Sequence, residues 1–157
     1  MEIIPRTGFT VAGFKITTSN KQAMEEETIA QAWNMFFWKD VYSRIPNKID
    51  DRIYAVYGNF EEGFSEDSMG KNYDMIIGCK VESLEGLPKW LSSIEISEQD
   101  YAKFIAIWNM PGAVIKEWEN IWNSDIKKNF SVDFEVYSEK SQKGKHSEVD
   151  IYVWVNN

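Results

Sequence analysis

The stretch VDFEVY, Val132 to Tyr137, alternates apolar Val132, Phe134 and Val136 with Asp133, Glu135 and Tyr137. That is the period-2 pattern of a half-buried strand. An echo lies upstream, where YAVY runs from Tyr54 to Tyr57, and Tyr57 and Tyr137 stand 80 positions apart. Each stretch follows a tryptophan-rich helical pattern, WNMFFW at 33–38 and WENIW at 118–122. Aligned on these features, Tyr57 matches Tyr137 and Ala55 matches Glu135. Glutamate is depleted in strands, so the unmatched Glu135 asks for a reason.

Each half reads strand, helix, strand, loop, strand. The first half has β-rich FTVAGFKITT (9–18), a helix beginning near the acidic EEE (25–27), RIYAVYGNF (52–60), an acidic loop (61–70) and YDMIIGCKV (73–81). Its helix carries Ile29, Ala32, Trp33, Phe36 and Phe37 on one face and is predicted to end before Pro46. After a turn-rich separator (82–90) come SSIEIS (92–97) and YAKFIAIW (101–108), then a helix opened by MPG at 110–112. Val114, Ile115, Trp118, Ile121 and Trp122 mark the apolar face of that helix. VDFEVY and EVDIYVWV (148–155) complete the half, joined by a loop that holds the only histidine, His146. The fold class predicted is α+β, a duplicated β-α-β-β unit with two helices on antiparallel sheet. Repeat one covers about 9–82 and repeat two about 90–157, within a single domain of 157 residues. A pseudo-twofold axis between such halves leaves a central groove, where ligand sites commonly occur.

Composition narrows the function. A net charge of −8 argues against direct nucleic-acid binding, which requires a basic stripe. No apolar run reaches the roughly 20 residues of a membrane helix, and the N-terminus lacks a signal-peptide pattern, so a cytoplasmic protein is expected. A single cysteine, Cys79, excludes an intramolecular disulfide and offers no metal-site spacing. Neither a metal nor a cofactor is expected. No Ser-His-Asp arrangement, phosphate loop or HExxH motif is present. The seven Trp, seven Tyr and nine Phe serve packing first, and also suit a pocket for flat or cationic molecules.

With these segments in order, the chain resembles the GyrI-like domain, the effector-binding domain of AraC-type and related regulators. The resemblance rests on VAGFKITTSN (11–20), AWNMF (32–36), YAVY (54–57), MIIGCKV (75–81), YAKF (101–104), DFEVY (133–137) and VDIYV (149–153). It implies an aromatic-lined groove whose carboxylate meets amphipathic, cationic small molecules, and Glu135 matches that carboxylate. Larger members carry a helix-turn-helix domain for which this chain has no residues. The role implied is therefore a stand-alone sensor or sequestering protein, of the multidrug-binding type, rather than a direct regulator of transcription.

The predicted ligand-binding residues are Glu135, Tyr57, Tyr137, Trp108, Trp90 and Trp38. Tyr57 and Tyr137 share the face of Glu135 as walls or hydroxyl partners. Trp108 and Trp90 end or precede strands on the cleft side, and Trp38 lies off the apolar stripe of its helix. Trp33 and Trp118 are assigned to the core, and Asp133 to a solvated strand edge. Two other functions stay open. In a hydrolase of strained or electrophilic small molecules, Glu135 is the general base and Tyr57 or Tyr137 the proton donor. In a gyrase-associated inhibitor, the acidic surface mimics DNA charge. A monomer, or a homodimer paired through an exposed strand edge, fits either case.

Overall fold

The computed structural model describes residues 2–155. Among these residues, four α-helices lie against one eight-stranded antiparallel sheet, an α+β fold. The strands are β1 (Glu2–Arg6), β2 (Phe9–Ser19), β3 (Ile53–Gly58), β4 (Asn72–Val81), β5 (Ser92–Ile96), β6 (Gln99–Ile107), β7 (Lys128–Tyr137) and β8 (Glu148–Val155). Their spatial order is β1-β6-β8-β7-β3-β4-β2-β5. Exchanging β1 with β5, β2 with β6, β3 with β7 and β4 with β8 reverses this order onto itself. The duplication is therefore a pseudo-twofold relation whose axis passes between β3 and β7.

The two halves hold each other at both ends. β1 of the first half pairs with β6 of the second, and β5 of the second pairs with β2 of the first. The sequence pattern misses β1, because the proline in EIIPR weakens it as a strand. An edge strand tolerates proline, and Pro5 sits on one.

The first helical region is broken where one continuous helix is predicted. α1 (Asn20–Glu25) is capped by Ser19, whose hydroxyl accepts the Gln22 backbone N–H at 3.2 Å. α2 (Thr28–Trp38) and α3 (Val41–Arg44) follow. The breaks fall at Glu27 and Asp40, both with left-handed φ, a conformation that ends an α-helix. The EEE run therefore lies at a junction rather than in a first turn. α2 buries Ala32 and Phe36 as expected, whereas Phe37 turns out to solvent. α4 (Gly112–Trp122) buries Val114 and Ile121 and leaves Ile115 exposed, again against the predicted stripe.

Both helix layers lie on one sheet face. α2 and α3 cover Ala12, Ala55, Met75, Ile77 and Cys79, and α4 covers Ala102, Ala106, Val149, Ile151 and Val153. The opposite face buries its own core, including Tyr54, Val56, Tyr101, Val132, Phe134, Val136 and Tyr152. Among the described residues no helix contributes to that core. Gly13 and Gly78 permit the closest approach, because they face each other between β2 and β4 and a Cβ on either would run into the other strand's backbone.

Candidate functional site

Alternation along β7 points Asp133, Glu135 and Tyr137 toward the helix face and Val132, Phe134 and Val136 away from it. The antiparallel register then pairs Glu135 directly with Ala55 on β3. The repeat mates are cross-strand neighbours, and the one glutamate lies at the pseudo-twofold axis.

Glu135 is 1% exposed. Three neutral donors converge on it. The Tyr137 hydroxyl donates to Oε1 at 2.7 Å, the Tyr57 hydroxyl to Oε2 at 3.0 Å, and the Trp118 indole Nε1 to Oε2 at 2.7 Å. Burial pushes the Glu135 carboxyl above its ordinary value of 4.5, and the hydrogen bonds from Tyr137, Trp118 and Tyr57 pull it back in part. The same burial, with Glu135 alongside, raises both Tyr57 and Tyr137 well above 10.0, so the hydroxyls remain donors. Tyr73, packed edge-on against Tyr57 at 6.1 Å, is pushed up to about 12 by burial first and by Glu135 second.

The rings around the carboxylate repeat the pseudo-symmetry. Trp33 of α2 meets Tyr137 edge-on at 4.9 Å, and Trp118 of α4 meets Tyr57 edge-on at 5.8 Å. All four rings are half-buried. Each helix thus sends a tryptophan to the tyrosine of the other half. Among the described residues no cation forms an ion pair with Glu135.

The nearest internal cation is engaged elsewhere. Lys128 Nζ pairs with Asp133 Oδ2 at 3.0 Å, both side chains almost wholly buried, and Asp133 Oδ1 accepts the Trp154 backbone N–H at 3.1 Å. The ammonium also lies over Phe130, Trp118 and Trp122 at 4.8, 5.1 and 5.8 Å. Asp133 is therefore not a solvated edge residue, because α4 and the bulged start of β7 cover that side of the strand. Lys128 escaped the sequence reading because β7 begins four residues earlier than the alternation shows. Phe130 takes a left-handed φ there and breaks the pattern.

Of the six predicted ligand-binding residues, the structure brings Glu135, Tyr57 and Tyr137 together. The other three stand apart from the cluster. Trp38 is 85% exposed beside Met35 and Phe37 on the outer side of α2, Trp108 is 58% exposed after β6, and Trp90 is 45% exposed under the Lys39 ammonium at 5.4 Å. Trp118, assigned to the core, supplies the third hydrogen bond instead. The recurrence of a tryptophan-rich helix in both halves, WNMFFW and WENIW, is the one sequence signal that could have found it. Among the described residues, no group of three or more His, Cys, Asp or Glu is placed to hold a metal, and no helix is long and apolar enough to cross a membrane. Cys79 lies buried, its thiol pushed up to about 12 by burial.

Comparison with known proteins places this geometry in a family. The chain matches Cass2, the integron-associated effector binding protein family, over residues 2–155, and belongs to it. It is 30% identical over 150 residues to the candidate transcriptional regulator protein YobU of Bacillus subtilis (strain 168), covering 90% of this chain and 89% of that one. Among solved structures it resembles integron cassette protein VCH_CASS2 from the mobile metagenome of Vibrio cholerae, with a TM-score of 0.74 and 26% identity over 99% of this chain and 95% of that one. It also shares the fold of SAV2435, solved bound to tetraphenylphosphonium, with a TM-score of 0.81 and 16% identity over 99% and 93% of the two chains.

Proposed function

We propose that the protein binds amphipathic organic cations at Glu135, as a sensor or sequestering protein. The observation that carries this reading is a carboxylate at the pseudo-twofold axis that is fully buried and held by neutral donors, with aromatic rings around it and no cation. Burying a charge without an opposite charge is costly, and hydrogen bonds offset only part of that cost. A lipophilic cation supplies the missing charge, and each ring face adds roughly 0.5–2 kcal/mol of cation–π attraction. Membership of an effector-binding family supports the reading, as does a shared fold with a protein solved around a phosphonium.

In the closed arrangement a ligand reaches Glu135 by displacing the half-buried rings. Trp118 is the natural one to move, since it rides on a helix while both tyrosines are fixed in central strands. Such a site selects strongly for positive charge and weakly for shape. The hydrolytic alternative needs Glu135 to take a proton from a water in a substrate cleft, and both of its oxygens already accept hydrogen bonds from Tyr137, Tyr57 and Trp118.

The test is titration with tetraphenylphosphonium and its neutral relative triphenylphosphine oxide, followed by tryptophan fluorescence and calorimetry. Wild type is expected to prefer the cation by at least tenfold. Glu135→Gln is expected to lose at least tenfold in cation affinity while keeping the wild-type circular dichroism. Equal affinity of wild type and Glu135→Gln for the phosphonium would sink the proposal.

A further inference from the structure

On the other face of the same central strands lies a partly enclosed cavity of about 290 Å³, just under the smallest usual small-molecule sites. Arg6, Arg52, Lys140, Asp150, Tyr54 and Tyr152 line it. Three cationic side chains and one carboxylate thus face a single space, in a chain whose net charge is −8. Lys140 and Asp150 pair with each other at 2.7 Å. Arg6 and Arg52 form no ion pair among the described residues, so the surplus positive charge is theirs. A further carboxylate, Asp50, accepts the Tyr54 hydroxyl at 3.1 Å and the Arg52 backbone N–H at 3.0 Å.

Aromatic rings hold the inner guanidinium. Arg6 Cζ lies 4.6 Å from the Tyr152 ring centroid and 5.6 Å from that of Phe134, and those two rings stack at 4.8 Å. A guanidinium laid over ring faces keeps its N–H edge for a planar acceptor, the geometry that suits a carboxylate. Arg52 is exposed, at the rim. The remaining walls are Tyr54, Tyr152, Val136 and Ser138, so the lining is mainly polar. We infer that this cavity is a second binding site, selective for a small planar carboxylate. It is chemically the inverse of the Glu135 site. The two sites lie back to back, because Tyr54 and Val136 face the cavity while their chain neighbours Ala55 and Glu135 face the helices.

The experiment is calorimetric and NMR titration of the full chain with benzoate, with its neutral isostere benzamide, and with inorganic phosphate. Benzoate is expected to saturate, with benzamide and phosphate each at least tenfold weaker. Arg52→Gln, a rim substitution that leaves the core untouched, is expected to weaken benzoate at least fivefold, and Arg6→Gln more. Glu135→Gln is expected to bind benzoate as wild type does, which separates this inference from the phosphonium proposal. Benzamide or phosphate binding as tightly as benzoate overturns the assignment. So does unchanged benzoate affinity in Arg52→Gln, or no saturable binding by the wild type.

Discussion

The two halves share a scaffold and differ at the positions that carry charge. Lys48 and Lys128 are 80 positions apart, and each bridges to the end of the last strand of its own half, Lys48 to Val81 and Lys128 to Val155. Lys48 gives its ammonium protons to the Tyr42 and Ile45 carbonyls at 2.9 and 2.7 Å and lies over the Tyr42 ring at 4.8 Å. Lys128 instead meets a buried carboxylate, because the position matching Asp133 is Ile53 in the first half. Ala55 likewise stands where the second half has Glu135. Duplication built the symmetrical sheet and the paired tyrosines. The breaks in symmetry then placed two carboxylates under the helix layer, one with an internal cation and one without. Symmetry supplies the frame, and asymmetry supplies the chemistry.

The comparison is tested most severely at the lysines. Lys128→Met leaves Asp133 buried without its partner and is expected to cost about 3–5 kcal/mol in urea unfolding. Lys48→Met loses charged hydrogen bonds to carbonyls and a cation–π contact but leaves no buried charge behind, expected at about 2 kcal/mol. Equal losses would show that the two lysines do the same job. Adding Asp133→Leu to Lys128→Met is expected to recover much of the stability, since an apolar pair replaces a broken ionic one.

Ala55→Glu places a second carboxylate at the axis, directly across from the first. At neutral pH the expected cost is about 2–3 kcal/mol, mostly desolvation of a group with no partner, and it is relieved on acidification. Combining it with Glu135→Ala moves the single carboxylate to the other half. If the pseudo-symmetry extends to function, that swap restores phosphonium affinity to within tenfold of wild type. A swap no better than Glu135→Ala alone would confine the site to the second half.

The pH dependence has a definite sign. Because burial raises the Glu135 pKa above 4.5, the folded protein holds that proton to higher pH than the unfolded chain does. Stability relative to Glu135→Gln therefore falls as pH rises from the ordinary carboxylate range through the raised pKa. Phosphonium affinity runs the opposite way and rises through the same window, by up to tenfold per pH unit. Parallel unfolding and binding series in the two proteins check both slopes, and a flat affinity profile contradicts the role given to Glu135.

The smallest effect separates the tryptophans. Trp118→Phe keeps a ring but removes the indole donor to Glu135, an expected loss of about 1–2 kcal/mol in stability at neutral pH. Trp33→Phe removes no hydrogen bond to the carboxylate and is expected to cost less than about 1 kcal/mol from lost ring area. A reversed order would make Trp33 the supporting residue.

Much of this was readable along the chain. Period-2 alternation marked the central strands, and the offset between YAVY and FEVY exposed the duplication. Together they put Glu135, Tyr57 and Tyr137 on one face. Strand period cannot say what covers that face. Asp133 and Glu135 therefore carry the same pattern; solvent is expected around the one and a groove around the other, and both lie buried. Helical spacing likewise put Trp118 on an apolar stripe without showing that its N–H would find a carboxylate. Trp90 and Trp108 are expected at the cleft from their places beside strands, and Trp38 from lying off the apolar stripe of its helix; neither feature tells a groove from open solvent, and all three are exposed.

The amino-acid sequence by itself determined the strand faces, the duplicated order of elements and the identity of the one unmatched glutamate, because these follow from local backbone geometry and chain order. Only the tertiary structure decided that Glu135 stands opposite Ala55 on the pseudo-twofold axis, that Trp118 completes its hydrogen bonds, and that Lys128 is held by Asp133. Those depend on strand register and on which helix covers which side of the sheet, and both are set by packing between residues far apart in the chain.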